Sequence, residues 1–122
     1  MEAGSEALDQ DHALGVEIGA GTAWLSAIIS QRPSVEHISA IELDPKRLEL
    51  AQKYFLKEFN GQADKISYLP GDFHHLPFLD ASLDFVVCDA ALHHTNELEK
   101  LLTEIHRVLK PVASFTISPR AY

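Results

Sequence analysis

The chain is poor in the residues that several protein classes depend on. It has one cysteine, Cys88, one tryptophan, Trp24, and one methionine in 122 residues. A single cysteine forms no internal disulfide, and Cys88 stands inside the apolar run LDFVVCDA, so it is expected as a buried, reduced thiol in a cytoplasmic protein. No apolar run approaches the roughly 18 residues of a membrane span, and the opening MEAGSEALDQDH lacks the basic and apolar regions of a signal peptide. Positive charge is also scarce. Ten Lys and Arg against 18 Asp and Glu give a formal charge of −8, and Lys46-Arg47 is the longest basic run. Nucleic acids and anionic membranes are bound through clustered positive charge, so neither is expected as a partner. Repeats and low-complexity tracts are missing too.

What is present is an alternation of short apolar runs and amphipathic stretches. Residues 1–12 read as a flexible acidic tail, with Ala7 to Leu14 able to add a helical turn, and residues 13–122 as one domain of ordinary size. LGVEI, HISAIEL, KISYL, LDFVVCDA and ASFTIS read as five strands. Between the first two, Thr22 is expected to cap a helix running to about Arg32 and stopped by Pro33. Asp44-Pro45 opens a second helix, whose Leu48, Ala51, Phe55 and Phe59 share one face and which Asn60-Gly61 closes. A third helix, capped by Asn96, carries Leu98, Leu101, Leu102, Ile105, Val108 and Leu109 and ends at Pro111. Strands alternating with such helices imply right-handed crossovers and a doubly wound, mainly parallel sheet between two helical layers.

Ligands bind such sheets beyond the carboxyl ends of the strands. The first strand delivers the turn EIGAGTAW there, Glu17 to Trp24. Read as a dinucleotide fingerprint it fails: its third position falls on Trp24, too large for close helix–strand contact, and Glu17 would repel a pyrophosphate. An NAD-dependent oxidoreductase is therefore the weaker reading. The second strand delivers Glu42, about twenty residues past the glycines, the spacing at which an acid reaches ribose hydroxyls. The third delivers Asp72 and the fourth Asp89, followed by His93-His94. Asp84 reads as the end of a turn before strand four. The adjacent histidine pairs, His74-His75 and His93-His94, lack helix-spaced ligand geometry, and no metal is expected.

These stretches resemble, in order and spacing, the motifs of the class I S-adenosylmethionine-dependent methyltransferases, in the group acting mostly on small molecules. EIGAGTA is similar to the first motif, AIELDPKRLELA to the second, GDFHHLPF to the third, LDFVVCDAALHH to the fourth, and EIHRVLKP to the helix before the fifth strand. The resemblance implies strand order 3-2-1-4-5, S-adenosylmethionine as cofactor and a small-molecule methyl acceptor. It also implies backbone contacts from Gly19, Ala20 and Gly21 to the methionine part, with Glu17 facing its ammonium or, on the structural reading, capping the next helix. Glu42 would accept the ribose hydroxyls, Leu43 pack on adenine, Asp72 accept the adenine amino group, and Phe73 offer a backbone amide to the ring. Asp89 would lie near the ammonium or merely end its strand, and His93 or His94 would border the acceptor as a base or stay an exposed loop residue.

The sequence departs from the family at Ala23, where a third glycine is usual, and at Val112-Ala113, where a Gly-Gly turn is usual. It also stops at Tyr122, where the family continues past strand five. The expectation is therefore a domain truncated after that strand, with its edge available for self-association. The alternative to an enzyme is a domain that binds cofactor or a partner chain without turnover.

Overall fold

The computed structural model describes residues 12–72, 74–89 and 98–118, apart from the side chains at 89, 112 and 114–118. β1 (Ala13–Ile18), β2 (Val35–Glu42), β3 (Ile66–Pro70), β4 (Leu83–Asp89) and β5 (Leu109–Ser118) form one sheet in the order β3-β2-β1-β4-β5. Every pairing is parallel. All carboxyl ends therefore emerge on one edge, as the strand–helix alternation predicts.

The strands are apolar on both sides because helices cover both faces. Val16 and Ile18 of β1 and Val86 and Cys88 of β4 point to one face, where Leu101, Ile105 and Val108 of α3 (Leu98–Val108) close over them. Their neighbours Ala13, Phe85 and Val87 point to the other, against Leu25 and Ile29 of α1 (Trp24–Ile29) and Leu56. The helix after β2, α2, runs as Pro45–Leu50, a π-helical stretch Ala51–Phe55, and Leu56–Glu58. Asp44 accepts the Lys46 N–H at 2.9 Å and so caps it ahead of Pro45. Asn60 takes the left-handed conformation (φ 54°) that closes it.

Gly15 is fixed by packing alone. A Cβ there would lie 2.1 Å from the tip of the Phe85 ring, so this glycine is the recess into which strand four's largest core side chain fits.

Several local expectations are corrected. Thr22 is not the cap of α1: Ala23 precedes the helix at φ 56° without any side-chain cap bond, because the carboxylate of Glu17 serves the helix start instead. The helix ends at Ile29 rather than Arg32, because the Ser30 hydroxyl turns back to the Ala27 carbonyl and the chain tightens into short turns. Leu14 lies in β1, not in a helical turn. α3 stops at Val108, and Leu109, Lys110 and Pro111 already belong to β5. The turn expected at Val112-Ala113 falls inside that strand, where the register slips between the Leu83–Leu109 and Phe85–Ser114 pairs and absorbs the additional residues. Asp84 is inside β4 and buried. It accepts the Leu14 N–H at 2.9 Å and pairs with Lys110 at 3.1 Å, tying β1, β4 and β5 together at their amino ends. The Asn96 cap lies outside the described residues.

Candidate functional site

Three loops converge at the carboxyl edge, and Glu42 joins them. Its Oε1 accepts the N–H of Gly21 at 2.8 Å, in the loop after β1. Its Oε2 accepts the N–H of Asp44 at 3.0 Å, in the loop after β2, and its main-chain carbonyl accepts the N–H of Gly71 at 3.0 Å, just past β3. A carboxylate offers about four lone-pair positions, so the two side-chain bonds leave acceptor capacity on each oxygen.

The glycine loop presents bare main chain at this edge. Gly19 (φ 69°) and Gly21 (φ 60°) are both left-handed, where a side chain is strained, and the Ala20 N–H anchors the turn on the Ile41 carbonyl at 2.9 Å. Ala23 shares that conformation and stands among Ala20, Ala40 and Ala51, a patch of small side chains where the loop meets the sheet. The residue replacing the family's usual third glycine thus still takes a glycine-like backbone, at some steric cost. Trp24 starts α1 and packs on Phe59, 5.9 Å between ring centres.

Of the two expectations for Glu17, an ammonium contact or a cap for the next helix, the structure places it under the start of α1. It has no accessible surface, and its Oε1 accepts both the N–H (3.1 Å) and the hydroxyl (2.7 Å) of Ser26 in the first turn of α1. A carboxylate at a helix N-terminus is stabilised by the unpaired N–H groups there. Leu43 is 59% exposed beside Glu42, an apolar surface of the kind a purine ring covers. Asp72 is exposed as well, and its Oδ1 accepts the N–H and meets Nδ1 of His74, both at 2.7 Å. Those bonds hold its carboxyl below the usual carboxylate range, the main-chain N–H contributing most. The expectations for Phe73, His93 and His94, and for the side chain of Asp89, lie outside the described residues.

An unforeseen cluster holds the segment that follows Asp72. Arg107 of α3 bonds to the carbonyls of Leu76 (3.0 Å) and Phe78 (2.8 Å) and to Asp80 (2.8 Å), and makes a two-pronged pair with Glu104. Glu104 also accepts the Leu76 N–H at 2.8 Å and is driven down to a pKa of about 2, chiefly by the Arg107 hydrogen bonds. The Glu-x-x-Arg spacing on one helix face was the signal available in the sequence.

The family model described as "Methyltransferase domain" matches residues 16–117. The chain belongs to this methyltransferase family. Among its relatives, an O-methyltransferase of Aspergillus nomiae is 32% identical over 103 residues, covering 84% of this chain and 44% of that protein. A sterol 24-C-methyltransferase of Gibberella zeae is 36% identical over 81 residues, 66% of this chain and 21% of that protein. A solved SAM-dependent methyltransferase from Aquifex aeolicus shares the fold, with TM-score 0.75, 19% identity, and coverage of 97% of this chain and 64% of that one. The chain spans less than half the length of the two curated relatives.

Membership of this methyltransferase family implies S-adenosylmethionine as the cofactor. The donor set fits it. The molecule carries a sulfonium and an ammonium but no phosphate, and the loop 19–23 presents backbone without a cationic side chain. Glu42 keeps acceptor positions suited to a diol, next to the exposed Leu43.

Proposed function

We propose that the chain is the cofactor-binding and catalytic domain of a methyltransferase acting on a small-molecule acceptor. The observation that carries this reading is the Glu42 junction, which brings a ribose-type acid, a glycine loop and the third-strand turn to one edge. When bound, the cofactor would supply a methyl group on positively charged sulfur, whose carbon an acceptor N, O, S or C attacks in line as the carbon–sulfur bond breaks and the neutral thioether leaves.

The chain's own residues act by placement. Gly19, Ala20 and Gly21 present main chain to the methionine part, Glu42 takes the ribose hydroxyls, Leu43 covers a face of the adenine and Asp72 accepts its amino group. Glu17 acts through Ser26, fixing the loop's exit into α1. For Phe73 and Asp89 the proposal rests on the resemblance alone: a backbone amide to the adenine ring from the first, and either proximity to the ammonium or a strand-end role for the second. Alignment of donor and acceptor within a water-poor pocket is the main source of rate, because the leaving thioether needs no proton.

Membership in a family with small-molecule O- and C-methyltransferases supports the acceptor class. No described helix is long and apolar enough to cross a membrane, and the lone buried cysteine supports a cytoplasmic site of action. β5 is an outer strand of the described sheet, and we place self-association there.

The test is calorimetric titration with S-adenosylmethionine and its demethylated product, followed by single-turnover transfer from radiolabelled cofactor to an acceptor panel. Binding with transfer is expected. Binding without transfer would favour a domain that holds cofactor without turnover, and binding of NADH in place of both ligands would overturn the reading.

A further inference from the structure

Asp72 reads in the sequence as a lone acid, but in the structure it is half of a pair. Its Oδ1 receives two contacts from the same residue, the His74 N–H and the His74 Nδ1, each at 2.7 Å. Among the described residues its Oδ2 takes no bond, and the Asp72 side chain is 65% exposed while that of His74 is only 22% exposed. The imidazole is therefore packed and the carboxylate it touches is open. A carboxylate free on the surface rotates about its last bond, whereas one held at a single oxygen from two directions keeps the other oxygen aimed one way.

We propose that His74 is a positioning residue for adenine recognition: it pins Oδ1 of Asp72 so that Oδ2 faces the exocyclic amino group of the bound cofactor. The proposal rests on the cofactor reading above and adds a residue to it. His74 does this as the Nδ1–H tautomer or as the cation, since both donate from Nδ1. The chemistry selects a 6-amino purine over a 6-oxo purine, because an ionised carboxylate accepts a hydrogen and is repelled by a carbonyl oxygen. His75, which is 90% exposed and 3.5 Å from Glu104, takes no part in the pair.

The experiment is calorimetric titration of the whole chain with S-adenosylhomocysteine and with its 6-oxo counterpart, in which inosine replaces adenosine. Wild type should prefer the amino ligand by about tenfold or more, the scale of one well-aligned charge-assisted bond. His74→Ala should lose most of that preference. His74→Gln, which keeps bulk but moves the donor, should lose it as well, and His74→Asn, whose amide nitrogen falls near the Nδ1 position, should keep it. Two replacements of different size guard against simple misfolding, which thermal melting of each variant detects. Wild-type preference retained in both His74→Ala and His74→Gln would overturn the proposal and leave the cofactor reading intact. Equal wild-type affinity for both ligands would remove Asp72 from the adenine and the proposal with it. Wild type binding neither ligand would overturn the cofactor reading itself.

Discussion

The carboxylate of Glu42 accepts the N–H of Gly21 at 2.8 Å, so the acid at the end of β2 shapes the glycine loop before any ligand arrives. Glu17 holds the same loop from beneath, through Ser26. The two acids differ in burial, and that difference separates their expected phenotypes.

Glu42→Ala is expected to weaken S-adenosylmethionine binding by tenfold or more, since charge-assisted bonds to two hydroxyls contribute about 1.5 to 3 kcal/mol each before desolvation. Its unfolding free energy should change little, because the site is partly exposed. Glu17→Ala should do the reverse: the N–H and hydroxyl of Ser26 lose a buried acceptor, at a cost of roughly 2 to 4 kcal/mol in stability. Urea melts beside calorimetric titrations check both, and a larger binding defect in folded Glu17→Ala than in Glu42→Ala would contradict the assignment.

Gly15→Ala is expected to destabilise the fold by about 2 kcal/mol or more, the scale of overpacking in a rigid core, because the new methyl falls on the Phe85 ring. Gly15→Ala combined with Phe85→Leu should cost less than the sum of the separate changes, since the smaller side chain vacates the clash. Additive unfolding energies would show that the two positions do not compete for space.

Acid should loosen the segment after Asp72 in a defined window. Glu104 has a folded pKa of about 2, below its ordinary 4.5, so its contribution is fully present above pH 4.5 and is lost as pH falls toward 2. Arg107 is shifted upward and stays charged throughout, so it adds no slope in this range. Melting temperature should drop more steeply between pH 4.5 and 2 in wild type than in Arg107→Met, which lacks the partner that depresses Glu104. Parallel curves for the two proteins would rule out the pair as the source.

Ala23→Val should destabilise strongly, by about 2 kcal/mol or more, since a β-branched side chain resists positive φ and Ala23 stands in a patch of small residues. Melting of the variant with a stability equal to wild type would mean that the loop has another conformation.

The sequence by itself determined the architecture. Apolar runs of strand length, amphipathic helices between them and punctuation at Pro33, Asp44-Pro45 and Asn60-Gly61 are local signals, and local signals suffice for a parallel sheet whose connections have a fixed hand. Gly19, Gly21 and Glu42 were legible as strand-end residues for the same reason, and the fold brings the glycine loop and Glu42 together. Tertiary structure alone decided what meets across the sheet. Gly15 looks like any strand glycine until Phe85 of β4 lies beside it, Asp84 like a turn acid until Leu14 and Lys110 approach, and Glu17 like an acid open to either a ligand or a helix until the chain folds Ser26 over it. Those partners are 9 to 70 residues apart where their bonds are made through side chains, from Glu17 and Ser26 to Leu14 and Asp84, and no periodicity in the chain encodes such a distance. Where a residue's role depends on burial and on a partner from another strand, three-dimensional packing chooses between readings that the sequence leaves equal.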